Sequence, residues 1–133
     1  MADLSNVKLF HGMPDGELKK IAKRMQEVNH SAGSEVIVQG RNGAGFMIIL
    51  SGEAEVAIPG GKRRLLGPGD HFGEMALLDH QGRSAGITAK TDLKVLAIPE
   101  WEFHTFLKEH PEVAIRMLQT LTQRLRELEA AQA

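Results

Sequence analysis

The sequence predicts a mainly β protein, an antiparallel β-roll of the jelly-roll type flanked by N-terminal helices and two C-terminal helices. Three observations carry that prediction. Residues 33–99 break into short runs rich in β-branched residues, separated at regular intervals by Gly, Pro, Asp and Ser. Apolar residues at helical spacing occupy both ends of the chain. The length of 133 residues is that of one domain, so residues 1–133 are read as a single unit.

The N-terminal helical part is placed at about 3–30. Its periodic segment runs over 14–28, where Leu18, Ile21, Met25 and Val28 fall on one helical face. Pro14 suits the start of that helix, and Asp15 and Glu17 suit the positive end of its dipole. Strands are expected over 35–39, 46–51, 53–59, 62–66, 84–90 and 93–99, with turns at Ser51-Gly52, Pro59-Gly60-Gly61 and Gly67-Pro68-Gly69-Asp70. Spacing this short favours an antiparallel roll over a parallel sheet with crossover helices. The C-terminal helices are placed at about 100–130. Trp101, Phe103, Phe106 and Leu107 lie in the first, His110-Pro111 interrupts it, and Pro111 opens the second. In the second, Ala114, Leu118, Leu121, Leu125 and Leu128 form a narrow seam that can pack on the roll or pair with another copy of itself. Residues 130–133 are expected to fray.

Composition excludes several function classes. Hydrophobic residues make up 42% and charged residues 25%, the balance of a folded, water-soluble chain. Sixteen Lys and Arg against seventeen Asp and Glu leave no strong positive field for a nucleic acid. There is no cysteine, hence no disulfide framework or thiolate site. The first residues lack a signal-peptide pattern and no apolar run reaches membrane-helix length, so a cytoplasmic address and no membrane segment are the expectation. The six histidines, His11, His30, His71, His80, His104 and His110, contain no His-X-His pair, which argues for packing or surface roles over a cupin-like metal site. No nucleophile or carboxylate constellation marks a catalytic centre, so neither catalytic nor metal-ligating residues are assigned.

The chemistry concentrates in Phe72-Gly73-Glu74-Met75-Ala76-Leu77 and the following Arg83-Ser84-Ala85. The segment reads as a strand end, one helical turn and a loop that delivers an arginine. Gly73 lets the backbone approach a ligand, and the amides near Met75 and Ala76 point at an anion. The Arg83 guanidinium matches phosphate oxygens, Ser84 adds a hydroxyl, and Glu74 can accept a hydrogen bond from a ribose 2′-hydroxyl. Each residue alone has an ordinary structural explanation; together they are the parts of a ribose-phosphate clamp.

These residues resemble the phosphate-binding cassette of the cyclic nucleotide-binding domain family. The resemblance extends to Leu9-Phe10, the 33–40 segment, Ile48 to Gly52 with Glu53-Ala54-Glu55-Val56, Gly69-Asp70, Phe103 and Pro111-Glu112. It implies a regulatory sensor, not an enzyme, that binds a cyclic nucleotide, with cyclic AMP the favoured identity and cyclic GMP also compatible with Ser84, with no further cofactor, and that signals by moving the C-terminal helix. It implies that Glu74 holds the ribose, that Arg83 holds the cyclic phosphate, and that Phe72, Gly73, Met75, Ala76, Ser84 and Ala85 complete the cradle. The alternative is a ligand-independent interaction or dimerisation domain on the same fold. Three departures stand out: Gly82 where proline often precedes the arginine, Met47 where tyrosine is common, and 41–45 in place of an acidic turn. None removes a phosphate or ribose contact. Many relatives continue into a helix-turn-helix, and this sequence ends after the long helix. The expectation is therefore no direct nucleic-acid binding, with a second copy or an effector protein as partner.

Overall fold

The computed structural model describes Leu4 and residues 7–37, 45–58, 62–73 and 86–132. A 3-10 turn at Lys8–Phe10 leads into α1, Asp15–Lys23. The Pro14 carbonyl accepts the amides of Glu17 and Leu18, the acidic Asp15 and Glu17 sit in the first turn, and Leu18 and Ile21 face the core. Helix α1 is shorter than the periodicity suggests. Arg24 and Met25 close it with amides on Ile21 and Ala22, and residues 26–30 are not helical.

Eight strands follow: β1 Gln26–His30, β2 Glu35–Ile37, β3 Phe46–Ser51, β4 Ala54–Ile58, β5 Lys62–Leu66, β6 His71–Phe72, β7 Gly86–Ala89 and β8 Leu93–Ile98. They form two four-stranded sheets, in the orders β1-β8-β3-β6 and β2-β7-β4-β5, with every pairing antiparallel. The sheets face each other as a roll without closing into a barrel. The fold class expected from the sequence is the one observed, with one correction at its start. β1 pairs with β8 from Gln26 opposite Ala97 to His30 opposite Leu93, so strand begins where helix was expected and the roll starts before residue 33. Met25 and Val28 are three apart on any backbone. The hydrogen-bonding edge of β8 decides the matter, because only a strand can satisfy it.

Within the first sheet, β3 is buried on both faces along most of its length. Phe46, Ile48, Leu96 and Ile98 pack against Phe10, Ile21, Phe103, Phe106, Val113 and Met117 of the helical layer. Met47, Ile49, Leu93 and Val95 point the other way, onto Val56, Leu66, Phe72 and Ile87 inside the roll. A strand wetted on neither face needs no polar alternation, which is why Phe46-Met47-Ile48-Ile49-Leu50 is an unbroken apolar run. At its end Gly52 turns the chain with φ +89°, and a Cβ built there would lie 2.1 Å from the Asp92 carbonyl oxygen. Gly52→Ala is accordingly expected to destabilise the fold by more than about 1 kcal/mol, read as a lower midpoint in urea; an unchanged midpoint would contradict the strain argument.

The C-terminal helices are α2, Glu100–Glu109, and α3, Pro111–Gln132. They are separated where the sequence places the break: His110 has φ −130° and ψ 67°, its amide donates to Phe106, and its carbonyl accepts from Val113. Phe103 and Phe106 are fully buried, whereas Trp101 is 82% exposed. On α3 the buried residues are Val113 and Met117. Most of the leucine seam does not lie on the roll: Leu118, Leu125 and Leu128 are 62%, 56% and 62% exposed, while Ala114 and Leu121 are half-buried. Of the two homes left open for the seam, packing of the whole seam on the roll is not adopted, because the stripe of α3 that meets the core is the one carrying Val113 and Met117. Its helix continues to Gln132, so most of the tail expected to fray is helical. Among the described residues no helix is long and apolar enough to cross a membrane.

Candidate functional site

The approach to the cassette is built by the turn between β5 and β6. The Gly67 amide donates to Asp70 Oδ2 at 2.9 Å, and the Asp70 amide returns to the Gly67 carbonyl at 3.0 Å. The turn is fastened to β3 by Gly69 N–H on Ile49 O and Ile49 N–H on Asp70 O, both 2.9 Å. An aspartate closing its own turn and a Gly69 at φ +92° leave the segment little freedom, so β6 starts from a defined position.

Alternation along β6 then separates its two side chains. His71 is buried with its ring centroid 5.4 Å from that of Phe46, a packing position, and Phe72 fills the interior of the roll. Gly73 follows with φ +96°, in the left-handed region where a side chain would be strained. The sequence assigned this glycine to close approach of the backbone to a ligand. The chain re-enters the described structure at Gly86, opposite Ala57 on β4, in a strand flanked by β2 and β4. Residues 74–85 thus connect the edge of the first sheet to an inner strand of the second. Glu74, Met75, Ala76, Arg83, Ser84 and Ala85 lie outside the described residues, as does His80; Phe72 and Gly73 are the two assigned site residues that the structure places.

Next to this point α3 and the roll enclose a groove of about 610 Å³. Arg64 of β5 and Asp70 and His71 line one wall, and Thr120, Gln123 and Arg124 of α3 line the other. Lys8 reaches Asp70 at 3.9 Å, and Arg116 pairs with Glu112 at 3.2 Å along the helix. Both pairs are at least partly exposed, so they orient the walls more than they stabilise the fold. The groove is polar, carries both signs of charge, and offers hydroxyl, amide and guanidinium groups to a polar ligand. Among the described residues no three His, Cys, Asp or Glu side chains are grouped to hold a metal ion.

Sequence reasoning missed Arg64, Thr120, Gln123 and Arg124 as wall residues. They come from elements about sixty residues apart and meet only because α3 lies across the turn before β6. The available signal was the polar side of α3 beside its leucine seam, which by itself reads as a solvated face.

The family model described as the cyclic nucleotide-binding domain matches residues 27–110. A cyclic AMP receptor protein of Thermus thermophilus is 34% identical over 124 residues, covering 90% of this chain and 57% of the relative. A cAMP-dependent protein kinase regulatory subunit of Aspergillus niger is 41% identical over 96 residues, covering 71% of this chain and 23% of the relative. The crystal structure of the Thermus thermophilus catabolite activator protein superposes with a TM-score of 0.83 at 33% identity, over 92% of this chain and 60% of that one. The chain thus spans little more than half of one curated relative and about a quarter of the other. With the match running from β1 to the α2–α3 break, this chain belongs to the cyclic nucleotide-binding domain family.

Proposed function

We propose that the chain is a regulatory sensor that reversibly binds a cyclic nucleotide, cyclic AMP being favoured over cyclic GMP as its identity, and reports occupancy by moving α3. The observation that carries the reading is the coincidence of family membership with both charged cassette residues, Glu74 and Arg83, following a Gly73 already turned into the left-handed region. A pocket that bound nothing would have no physical need for that pair.

In this mechanism the cyclic phosphate pairs with the Arg83 guanidinium and accepts the amides that follow Glu74, while Ser84 lies beside it. Glu74 accepts from the ribose 2′-hydroxyl. The base extends toward the groove under α3, where Thr120, Gln123 and Arg124 supply donors and acceptors. Nucleotide shifts α3 only by binding one of its positions more tightly, so ligand and helix stabilise each other reciprocally. Leu118, Leu125 and Leu128, which are exposed, make that shift consequential. With the half-buried Leu121 they alternate spacings of three and four, the pattern of a helix that pairs with another like itself. In the open position the chemically matched partner is a second copy of the chain; closure over the nucleotide withdraws the seam. Nothing in this scheme breaks a bond, so the activity is binding and signalling rather than catalysis.

Glu74 provides the sharpest test of ligand orientation. Glu74→Gln should weaken cyclic AMP by severalfold yet leave 2′-deoxy cyclic AMP almost unaffected, because the deoxy ligand never offered the hydroxyl. Calorimetric titration of both ligands against both chains measures the difference. Equal losses for the two ligands would remove Glu74 from the ribose.

A further inference from the structure

Three polar ties between the N-terminal and C-terminal helical segments converge on the break between α2 and α3. His110 Nδ1 lies 2.6 Å from Glu17 Oε1, across 93 residues of sequence. A carboxylate can only accept, so the ring nitrogen donates. The ring is buried, with its centroid 5.1 Å from that of Phe106, while Glu17 is about one-third exposed on α1. One residue away, Glu109 pairs with Arg24 at the end of α1 at 3.2 Å. One turn into α3, Arg116 donates to the carbonyls of Leu9 at 3.3 Å and of His11. None of these groups belongs to the cassette, and the proposed binding chemistry uses none of them.

A buried imidazole held by a carboxylate on another element is a poor source of net stability, because desolvation offsets much of the attraction. What it supplies is direction, since a hydrogen bond of this length tolerates little displacement or rotation. At His110 direction is the quantity that matters. Its φ and ψ set the angle between α2 and α3, its amide ends one helix and its carbonyl starts the next. With the bond in place, Leu118, Leu125 and Leu128 stand away from the roll. Any change in the angle between α2 and α3 turns the backbone at this point, carrying Nδ1 away from Glu17 and drawing Val113, Met117 and Arg116 with it.

We infer that Glu17 and His110 form a latch that holds α3 in the seam-exposed arrangement, with α1 as its fixed jaw. Both are positioning residues: they act on the ligand site through α3. The inference rests on the reading of that site as a nucleotide pocket closed by α3. Nucleotide must then overcome the latch, so releasing it enlarges the closing-competent fraction and tightens binding, whereas loss of an ordinary structural contact would leave affinity unchanged or lower it.

Glu17→Ala is the variant of choice, because His110→Ala would open a cavity in the core. The chain has no cysteine, so spin labels can be placed at Gln26→Cys and Glu129→Cys on exposed ends of β1 and α3. Pulsed electron resonance then reads the separation of the two labels. Without ligand, Glu17→Ala should move the distance distribution away from that of the parent, in the direction that cyclic AMP moves the parent. Calorimetry should find cyclic AMP bound about three- to tenfold more tightly. Glu17→Gln, which keeps an acceptor, should fall between the two. An unchanged distribution, or an affinity that stays the same or weakens alongside thermal stability, overturns the latch. A parent that binds neither cyclic AMP nor cyclic GMP sinks the nucleotide reading instead. The latch is then judged by the ligand-free distances alone, a shift supporting it and no shift overturning it.

Discussion

Arg83→Ala is expected to weaken cyclic AMP binding by about ten- to a hundredfold while leaving the folded state largely intact. The magnitude is that of a charge-assisted hydrogen-bonded contact, about 1.5 to 3 kcal/mol, converted to affinity at 1.4 kcal/mol per decade. It is the largest single-residue effect anticipated, because no other assigned cassette side chain carries a full positive charge. Arg83→Lys should recover only part of the loss, since an ammonium offers a point charge where the guanidinium offers a planar fork. Titration calorimetry, with thermal melts to confirm folding, measures both. Parent-like affinity in Arg83→Ala would mean that the cyclic phosphate is held elsewhere, and the assignment of the cassette would fall with it.

Removing α3 beyond Thr120 is expected to cost roughly 5- to 150-fold in cyclic AMP affinity, the usual range for one coupled element. The cut position follows from packing. Val113 and Met117 belong to the core, and Arg116 fastens the helix to the 3-10 turn, so a cut before residue 117 would damage the fold it is meant to spare. A cut after Thr120 removes Gln123 and Arg124 from the groove wall together with Leu121, Leu125 and Leu128, while sparing Val113 and Met117. Amide exchange across 118–128 of the parent should slow when nucleotide is added, because closure buries that face. Sedimentation adds a second readout: the parent should show a concentration-dependent dimer that the shortened chain has lost. Unchanged affinity with ligand-independent exchange would reject the lid, and a parent that sediments as a monomer at all concentrations would reject the seam as a self-pairing surface.

The most legible parts of the sequence were those whose signal is local. Short strands between turn residues announced the roll, and Ser51-Gly52 and Gly67 to Asp70 turn where they were expected. The helix break at His110-Pro111 was equally plain, because proline lacks the amide that the preceding helix would need. The left-handed Gly73 at the mouth of the cassette agrees with the freedom that its residue type supplies. The illegible parts depended on partners distant in sequence. Met25 and Val28 continue a helical spacing faithfully, yet β1 exists because β8 has an edge to pair. Trp101 looks like core by composition and stands in solvent, while His71 and His110 look polar and are buried against phenylalanines.

The sequence by itself determined the family and the succession of short strands that makes the roll, and it supplies the charged pair proposed to hold the ligand, Glu74 and Arg83. Each of these is encoded in residues close together along the chain, where backbone geometry relates spacing to position. Only the tertiary structure decided which face of α3 meets the roll, that Thr120, Gln123 and Arg124 share a groove with Arg64 and Asp70, and that Glu17 reaches His110 across the molecule. An amphipathic helix specifies that one stripe will be covered, and not by what. That choice is made by the summed packing of Val113 and Met117 against Phe103, Phe106 and the first sheet, a balance among surfaces that no local pattern contains.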